Sequence, residues 1–255
     1  MPNKNKSDKK EVLVKVKRQS SPKDAPYWEE FRLQWRPYMN VIICLRDISE
    51  NPATSDGRPT TPVSYDSNCL EEVCGSCAML INGKARMACS ALVDQLEQPI
   101  RIEPMSKFPV VRDLAVNRQF MFDSLKRVKA WIPIDGTYDL GEGPRMSYEV
   151  QEKAYPLSRC ISCGSCLEVC PQVNEHSKFI GAAIISQVRL FNMHPTGAMH
   201  ARERLLGVMG NGGVEDCANA QNCVKACPKD IPLTESIAEV NRQAWKQALF
   251  GWLLG

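Results

Sequence analysis

The chain has 255 residues, of which 44% are hydrophobic, so it can form one large domain or two ordinary domains with separate cores. Its net charge is only +3, and residues 1–10 carry four lysines without interleaved aromatic residues, which predicts a solvated, disordered tail rather than a nucleic-acid-binding arm. No apolar leader follows this tail, and the apolar stretch over residues 248–254 is far shorter than the ~20 residues of a membrane-spanning helix, so we expect a chain that is neither secreted nor membrane-spanning by itself.

The first predicted elements are two strands and a helix. Hydrophobic and charged residues alternate over residues 12–16, and a second alternating run over residues 30–35 predicts the partner strand of a hairpin. Residues 41–48 have helical periodicity, which places Cys44 on the buried face of an amphipathic helix. We therefore interpret Cys44 as a core residue rather than a reactive thiol.

A second hairpin and a closing strand complete the first predicted domain. Residues 51–67 contain Pro, Ser and Gly and predict a loop, whereas residues 78–81 run into Asn82-Gly83, a strong signal for a two-residue hairpin turn. Two isoleucines bounded by prolines over residues 99–104 predict the closing strand. Together these elements indicate a small mixed domain over residues 11–115.

Beyond residue 115 the periodicity becomes helical. The predicted helices cover residues 114–131, 179–191, 198–209 and 233–253. Residues 132–145 are dense in Gly, Pro and Asp, and we interpret them as a surface loop. The sequence therefore predicts a helical second domain over residues 116–255.

The chain has twelve cysteines and no export signal. Reducing compartments keep thiols free, so disulfides are disfavoured and ligation of a metal or cofactor becomes the first hypothesis. Cys44 is isolated, and the other cysteines fall into groups whose spacing identifies the chemistry.

The first group has the spacing of a plant-type [2Fe-2S] ferredoxin. Cys69, Cys74 and Cys77 form a CxxxxCxxC motif, and Cys89 supplies a fourth thiolate after the predicted hairpin. Only Gly75 and Ser76 separate two of these cysteines, and such small residues let backbone amides turn toward the sulfurs. The alternative is a structural zinc site, but four-thiolate zinc sites prefer two CxxC-like pairs, and this loop has one.

The second group matches the most specific motif in the chain, CxxCxxCxxxCP. Its members are Cys160, Cys163, Cys166, Cys170 and Pro171. In bacterial two-cluster ferredoxins the fourth cysteine of this run binds the other cluster. The motif therefore requires a second run elsewhere in the chain.

That second run lacks one cysteine, because Ala220 stands at the missing position. With the crossover, the predicted ligands of a [4Fe-4S] cluster are Cys160, Cys163, Cys166 and Cys227. The remaining cysteines, which can hold only three irons, are Cys170, Cys217 and Cys223. The count therefore predicts a [3Fe-4S] cluster. The alternative is a damaged four-iron site, but the spacing around the gap is undisturbed.

In their order along the chain, these motifs resemble the iron-sulfur subunits of the succinate:quinone oxidoreductase and fumarate reductase family. The resemblance implies an α+β chain with an N-terminal β-grasp plant-type ferredoxin domain and an all-helical two-cluster ferredoxin domain. It also implies a respiratory, tricarboxylic-acid-cycle role, in which three clusters connect an FAD-containing flavoprotein subunit to quinone at a membrane anchor. By this resemblance the [2Fe-2S] cluster faces the flavin, the [3Fe-4S] cluster faces the membrane, and the subunit is peripheral on the cytoplasmic face of the cell membrane.

The quinone side departs from the ubiquinone-using relatives. Such relatives carry Trp shortly after the CP pair and His directly after the cysteine that corresponds to Cys217. Here those places hold residues 172–175 and Ala218, so the chain more closely resembles members with a haem-containing cytochrome b anchor and menaquinone. The resemblance places Pro171 and Ala220 in the surroundings of the quinone-side cluster.

We predict no catalytic residue on this chain. Among the histidines, His176 is near the cluster cysteines in sequence and is a candidate for assisting proton transfer, whereas His194 and His200 fit surface or capping positions. Three alternatives stay open. One is fumarate reduction instead of succinate oxidation, another is a stand-alone ferredoxin-like shuttle, and the third is a subunit like those of glycolate oxidase or heterodisulfide reductase, which usually have two complete cysteine runs.

Overall fold

The computed structural model describes residues 10–133 and 144–251. Our predictions for the N-terminal tail, for most of the loop over residues 132–145 and for the last residues of the apolar C-terminal stretch lie outside these ranges. The chain divides into two compact units, Met1–Asn117 and Arg118–Gly255.

The described part of the first unit contains a five-stranded mixed sheet and a helix. The elements are β1 (Glu11–Arg18), β2 (Tyr27–Gln34), α1 (Val41–Glu50), β3 (Ala78–Ile81), β4 (Lys84–Met87) and β5 (Ile100–Glu103). The strand order is β2-β1-β5-β3-β4, in which β1 and β5 are parallel and the other neighbours are antiparallel. This arrangement confirms the two predicted hairpins, the helix and the closing strand.

Alternation and turn chemistry explain the sheet. Val12, Val14 and Val16 on β1 are at most 1% exposed, so one face of the strand lies in the core. Between β3 and β4, Asn82 and Gly83 have φ of 49° and 75°, which is the left-handed conformation that a two-residue hairpin turn requires.

Helix α1 is fixed by a cap and by its apolar face. The Asn40 side chain accepts a hydrogen bond from the Ile43 backbone N–H at 2.9 Å, which satisfies one free amide of the first turn. Cys44 and Leu45 are fully buried, and burial raises the pKa of the Cys44 thiol to about 12. The prediction of Cys44 as a core residue is therefore confirmed.

The described part of the second unit is helical. Its helices are α2 (Gln119–Arg127), α3 (Tyr148–Ser158), α4 (Ser165–Glu168), α5 (Ala182–Met193), α6 (Pro195–Ala198), α7 (Ala201–Val208), α8 (Asn222–Ala226) and α9 (Leu233–Phe250). Helix α5 packs against α9, α7 and α3, so it forms the centre of this unit. The predicted helices over residues 179–191, 198–209 and 233–253 correspond to α5, α7 and α9 with shifted ends. Among the described residues, no helix combines the length and apolarity that membrane spanning requires.

One predicted helix was wrong in its first part, and α3 was missed, as were the short helices α4, α6 and α8. Within residues 114–131, Ala115–Val116 form strand β7, which pairs with β6 (Val110–Arg112), and α2 begins only at Gln119. The hydrophobic residues before α2 serve this hairpin, not a helical face. Helix α3 has a single buried residue, Leu157, and one apolar anchor gives no readable periodicity.

Candidate metal centres

The first cysteine group lies in a loop that directs backbone amides at sulfur. The donors to Cys69 Sγ are the backbone N–H groups of Glu71, Val73 and Cys74, at 3.3–3.4 Å. The Glu72 N–H donates to Cys89 Sγ at 3.3 Å. Amide donors stabilise a sulfur that carries negative charge, so this loop is suited to thiolate ligands.

Positive φ angles explain how consecutive amides reach the same side of this loop. Leu70, Glu72 and Gly75 have φ of 62°, 57° and 74°. Left-handed residues placed among ordinary ones turn successive N–H groups into a concave anion-binding surface. Our sequence analysis attributed the inward amides to the Gly-Ser pair, and the Ser76 backbone does hydrogen-bond to Cys74. Further donors, over residues 71–74, lie just before that pair.

The pKa shifts show that the sulfurs of this group lie close together. Hydrogen bonds from the Ser76 side chain and from the backbone of Cys69 lower the pKa of Cys74 to about 6. Burial, together with the neighbouring thiols of Cys77 and Cys69, raises the pKa of Cys89 to about 11. The three cysteines of the CxxxxCxxC motif and the distant Cys89 therefore form one local group.

The second unit contains a cavity lined by four cysteines. The cysteines that line it are Cys160, Cys163, Cys166 and Cys227. The first three come from the segment before and within α4, and the fourth follows α8. Apolar side chains, including Ile231 and Leu233, form much of the remaining wall. The cavity thus brings together the four cysteines that the crossover assigns to one cluster.

Electrostatics and backbone geometry also group these four thiols. Burial raises the pKa of Cys166 well above its ordinary value, and the thiols of the other three cysteines raise it further. Ser162 and Gly164 have φ of 50° and 85°, so this loop also contains left-handed residues next to its cysteines. Cys163 Sγ lies 3.4 Å from Ser165 Oγ, which places a hydroxyl at the sulfur.

A second cavity is lined by three cysteines, namely Cys170, Cys217 and Cys223. Ala220 lies in the same wall, where a fourth cysteine would stand in a complete run. Burial raises the pKa of Cys223, with further contributions from the other two thiols. Asn219 and Gln221 flank Ala220 with φ of 54° and 60°, so the left-handed pattern recurs here.

These sites differ from a compact single-ion site. Among residues 10–133 and 144–251, no three His, Cys, Asp or Glu side chains converge closely enough to hold one bare metal ion. The cysteines instead surround cavities or an amide-lined loop, and a multi-iron cluster requires such separated thiolates.

Comparisons with known proteins agree with these groups. Residues 13–123 match the family model of the 2Fe-2S iron-sulfur cluster binding domain, and residues 156–231 match that of the 4Fe-4S dicluster domain. The succinate dehydrogenase iron-sulfur subunit of Bacillus subtilis is 60% identical over 242 residues, which cover 95% of this chain and 96% of that protein. The chain belongs to the family of succinate dehydrogenase and fumarate reductase iron-sulfur subunits.

More distant members of this family give the same result. The fumarate reductase iron-sulfur subunit of Wolinella succinogenes is 30% identical over 221 residues, which cover 86% of this chain and 90% of that protein. A chain of the solved Mycobacterium smegmatis Sdh1 complex in the apo form has the same fold, with a TM-score of 0.74, 21% identity, and coverage of 93% of this chain and 96% of that chain. The predicted family, fold class and role as an electron-transfer subunit of an oxidoreductase are therefore confirmed.

In this iron-sulfur subunit, the residues predicted around the quinone-side cluster lie at the three-cysteine cavity. Pro171 and Ala220 both line it, together with Gln172 and Ala218, which stand where ubiquinone-using relatives carry other residues. Of the departures over residues 172–175 and at Ala218, Gln172 and Ala218 therefore lie in the wall of this cavity.

The three histidines have surface or capping positions. The His176 side chain is 86% exposed and lies 3.4 Å from a carboxylate oxygen of Glu175. His194 Nδ1 accepts a hydrogen bond from the Gly197 N–H at 3.3 Å at the start of α6, which confirms its predicted capping role. His200 precedes α7 and is partly exposed.

Three polar residues of the four-cysteine cavity were not predicted, and one of them is Ser162, between Cys160 and Cys163. Ser186, on α5, and Lys229, just after the last CP pair, both line this cavity. Lys229 follows a recognisable motif and was accessible to sequence reasoning. Ser186 lies far from every cysteine in sequence, so only the packing of α5 against the cysteine segments reveals it.

Proposed function

We propose that this chain holds three iron-sulfur clusters, one in a domain over residues 11–115 and two in a helical domain over residues 116–255. The [2Fe-2S] ligands are Cys69, Cys74, Cys77 and Cys89. The [4Fe-4S] ligands are Cys160, Cys163, Cys166 and Cys227. The [3Fe-4S] ligands are Cys170, Cys217 and Cys223. The observation that carries this proposal is the division of seven cysteines between two cavities, four at one and three at the other.

The residues around each group fit a cluster with net negative charge. Backbone amides donate to the sulfurs of the first loop, and left-handed residues recur in the loops of both cavities. Apolar walls around Cys166 limit solvent access, and solvent access is one of the factors that set cluster potential. When bound, the clusters accept and release single electrons. The chain holds the ligand cysteines in place, donates hydrogen bonds to their sulfurs and surrounds the clusters with apolar side chains of low dielectric constant.

We further propose that the subunit carries electrons from an FAD-containing flavoprotein subunit to quinone at a cytochrome b membrane anchor, from a peripheral position on the cytoplasmic face of the membrane. The name of the 60% identical relative, a succinate dehydrogenase subunit, supports this assembly. Ala218 and residues 172–175 differ from the ubiquinone-using pattern, which supports menaquinone as the acceptor.

Metal analysis of the purified native complex tests the ligand assignment. The proposal requires about nine irons and ten acid-labile sulfides per chain. Electron paramagnetic resonance (EPR) of the oxidised complex should show a three-iron signal, and dithionite should add the signals of the reduced [2Fe-2S] and [4Fe-4S] clusters. Stoichiometric zinc, or the absence of a three-iron signal, would exclude this assignment.

Fumarate reduction is a second candidate direction, because curated relatives at about 30% identity are fumarate reductase subunits. The same complex would then oxidise menaquinol instead of reducing menaquinone. Turnover with succinate plus a menaquinone analogue, compared with fumarate plus its quinol, distinguishes the two directions. Co-purification of a flavoprotein and an anchor would exclude the stand-alone shuttle.

A further inference from the structure

A buried arginine lies one helical turn from Ser186 of the four-cysteine cavity, and no buried carboxylate of residues 10–133 or 144–251 forms an ion pair with it. Arg189, on α5, is 9% exposed, and among the described residues its Nε has no hydrogen-bond partner. The nearest carboxylate oxygen, from Glu235, lies 3.9 Å from Nη1, but that side chain is 72% exposed and therefore screened by water. The charge of Arg189 also helps to lower the pKa of Glu239, but the Glu239 carboxylate accepts hydrogen bonds from Arg242. A cation in such a site needs another source of stabilisation.

Two serine hydroxyls connect this arginine to the cavity. Arg189 Nη1 donates to Ser236 Oγ at 3.3 Å, and Ser236 Oγ lies 3.2 Å from Ser186 Oγ. Both serines are at most 1% exposed, and Ser186 lines the cavity of Cys160, Cys163, Cys166 and Cys227. A guanidinium can only donate, so Ser236 Oγ accepts from Arg189. The Ser236 hydroxyl donates to the Pro232 carbonyl at 3.2 Å, and its Oγ is also in hydrogen-bond contact with Ser186 Oγ.

We propose that Arg189, acting through Ser236 and Ser186, is a positioning residue that raises the reduction potential of the [4Fe-4S] cluster. This inference rests on the cluster assignment made above. A cluster held by four thiolates is net negative and gains another negative charge on reduction. A nearby buried cation therefore stabilises the reduced form more than the oxidised form, and the hydrogen-bonded serines connect that cation to the cavity wall.

The expected size follows from Coulomb's law. At an effective dielectric constant of about 20 and a separation on the order of 10 Å, one unit charge changes a one-electron equilibrium by roughly tenfold. A tenfold change corresponds to about 59 mV for one electron. Lys229 also lines the cavity, but its more exposed position leaves it better screened by solvent, so we expect the larger effect from Arg189.

An EPR-monitored redox titration of the [4Fe-4S] cluster in the intact complex tests the proposal. At the ambient potential where the wild-type cluster is half reduced, Arg189→Met should lower the ratio of reduced to oxidised cluster about tenfold. Ser236→Ala should lower it by a smaller factor, about threefold, because it removes one hydrogen bond and no charge. Arg189→Lys should stay within about twofold of wild type, because it retains the charge. Lys246→Met, which removes an exposed cation from the same helix as Ser236, should also stay within about twofold.

The [2Fe-2S] signal of the same samples is an internal reference that should not move. A purely structural role for Arg189 would lower thermal stability and leave the [4Fe-4S] potential unchanged, and that result would overturn the proposal. If Arg189→Met does not assemble, Ser236→Ala decides, since an unshifted potential in that variant overturns the hydroxyl chain. A wild-type complex without any [4Fe-4S] signal would instead refute the ligand assignment on which the inference rests.

Discussion

Replacing Arg18 by Met should destabilise the first unit strongly, because Arg18 holds the segment that leads to the Cys69 loop. Arg18 is 1% exposed and donates to both carboxylate oxygens of Asp113, at 3.0 and 3.2 Å. It also donates to Thr61 Oγ1 at 3.0 Å and to the Pro62 carbonyl at 3.3 Å. Asp113 in turn accepts from the Ser64 N–H at 2.9 Å. The Arg18 and Asp113 pair therefore connects β1 to the segment that precedes Cys69.

The size of the effect follows from what the substitution leaves behind. Met fills much of the arginine volume, but the Asp113 carboxylate, 2% exposed, loses its buried counter-charge. Breaking a buried ion pair by removing one partner costs about 3–5 kcal/mol. Asp113 keeps backbone donors from Gln19 and Ser64, so we expect the lower end, about 3 kcal/mol. For a domain of this size, that corresponds to a fall in Tm of roughly 12–24 °C.

The assay is thermal loss of the [2Fe-2S] visible absorbance and EPR signal in the intact complex. Arg32→Met is the matched control, because Arg32 lies on the neighbouring strand β2 and pairs with Glu11 at 2.9 Å while both side chains are about half exposed. Such exposed pairs contribute at most about 1 kcal/mol. The double variant Arg18→Met/Asp113→Asn should recover part of the loss, because the buried Asp113 charge is removed. The recovery should be incomplete, because Glu29, whose side chain is 14% exposed, still loses its ion pair with Arg18. If Arg18→Met loses its cluster at the same temperature as Arg32→Met, the reasoning is wrong.

Three further predictions concern the clusters, the core thiol and the last helix. Ala220→Cys should restore the complete cysteine run, convert the three-iron centre to [4Fe-4S] and lower its reduction potential. Quinone-linked turnover should then fall, whereas succinate oxidation with an acceptor that draws electrons near the flavin should largely survive. A persistent three-iron EPR signal in this variant would contradict the prediction. Cys44→Ser should leave iron content unchanged and reduce stability near neutral pH. Burial raises the folded-state pKa of Cys44 to about 12, above its ordinary value of 9.0. The stability that this thiol contributes is therefore complete below pH 9 and is lost as pH rises toward 12, by about 1.4 kcal/mol per pH unit. Denaturation midpoints measured across this pH range should show the loss in wild type and not in Cys44→Ser. Trp245, 63% exposed on α9 beside other exposed apolar residues, should contact the membrane anchor, so Trp245→Ser should weaken membrane retention without changing cluster content, and unchanged retention would exclude that role.

Local signals predicted most of the first unit. The alternation over β1, the helical period around Cys44 and the Asn82-Gly83 turn each act over a few residues, and each corresponds to an observed element. The Arg18 and Asp113 pair could not be predicted, because its partners are 95 residues apart in sequence and neither has a distinctive local pattern. The helix predicted from residue 114 failed for a related reason, since pairing with a preceding strand decided the conformation there.

The cysteine ligands of the candidate sites could be predicted from the sequence, whereas the groups around them could not. Cysteine spacing predicted which thiols would be brought together, because ligand geometry constrains sequence separation directly. It gave no information on the amides over residues 71–74, whose direction depends on positive φ angles at non-glycine residues such as Leu70 and Glu72. Nor did it indicate Ser186, which helix packing brings to the cavity wall.

The proposed crossover of ligands would give the two proposed clusters of the helical domain a fixed separation. Cys166 and Cys170 belong to different proposed clusters but are joined by one turn across α4, and Cys223 and Cys227 are joined in the same way across α8. Four residues of helix rise about 6 Å, so each connection is short and has little freedom to stretch. The Asn222 side chain also donates to the backbone at the end of α4 at 3.2 Å, which ties the two connections together. The separation of the two cavities is therefore set by two helical turns. Changes in the surrounding loops should alter partner contacts while leaving the step between these clusters intact.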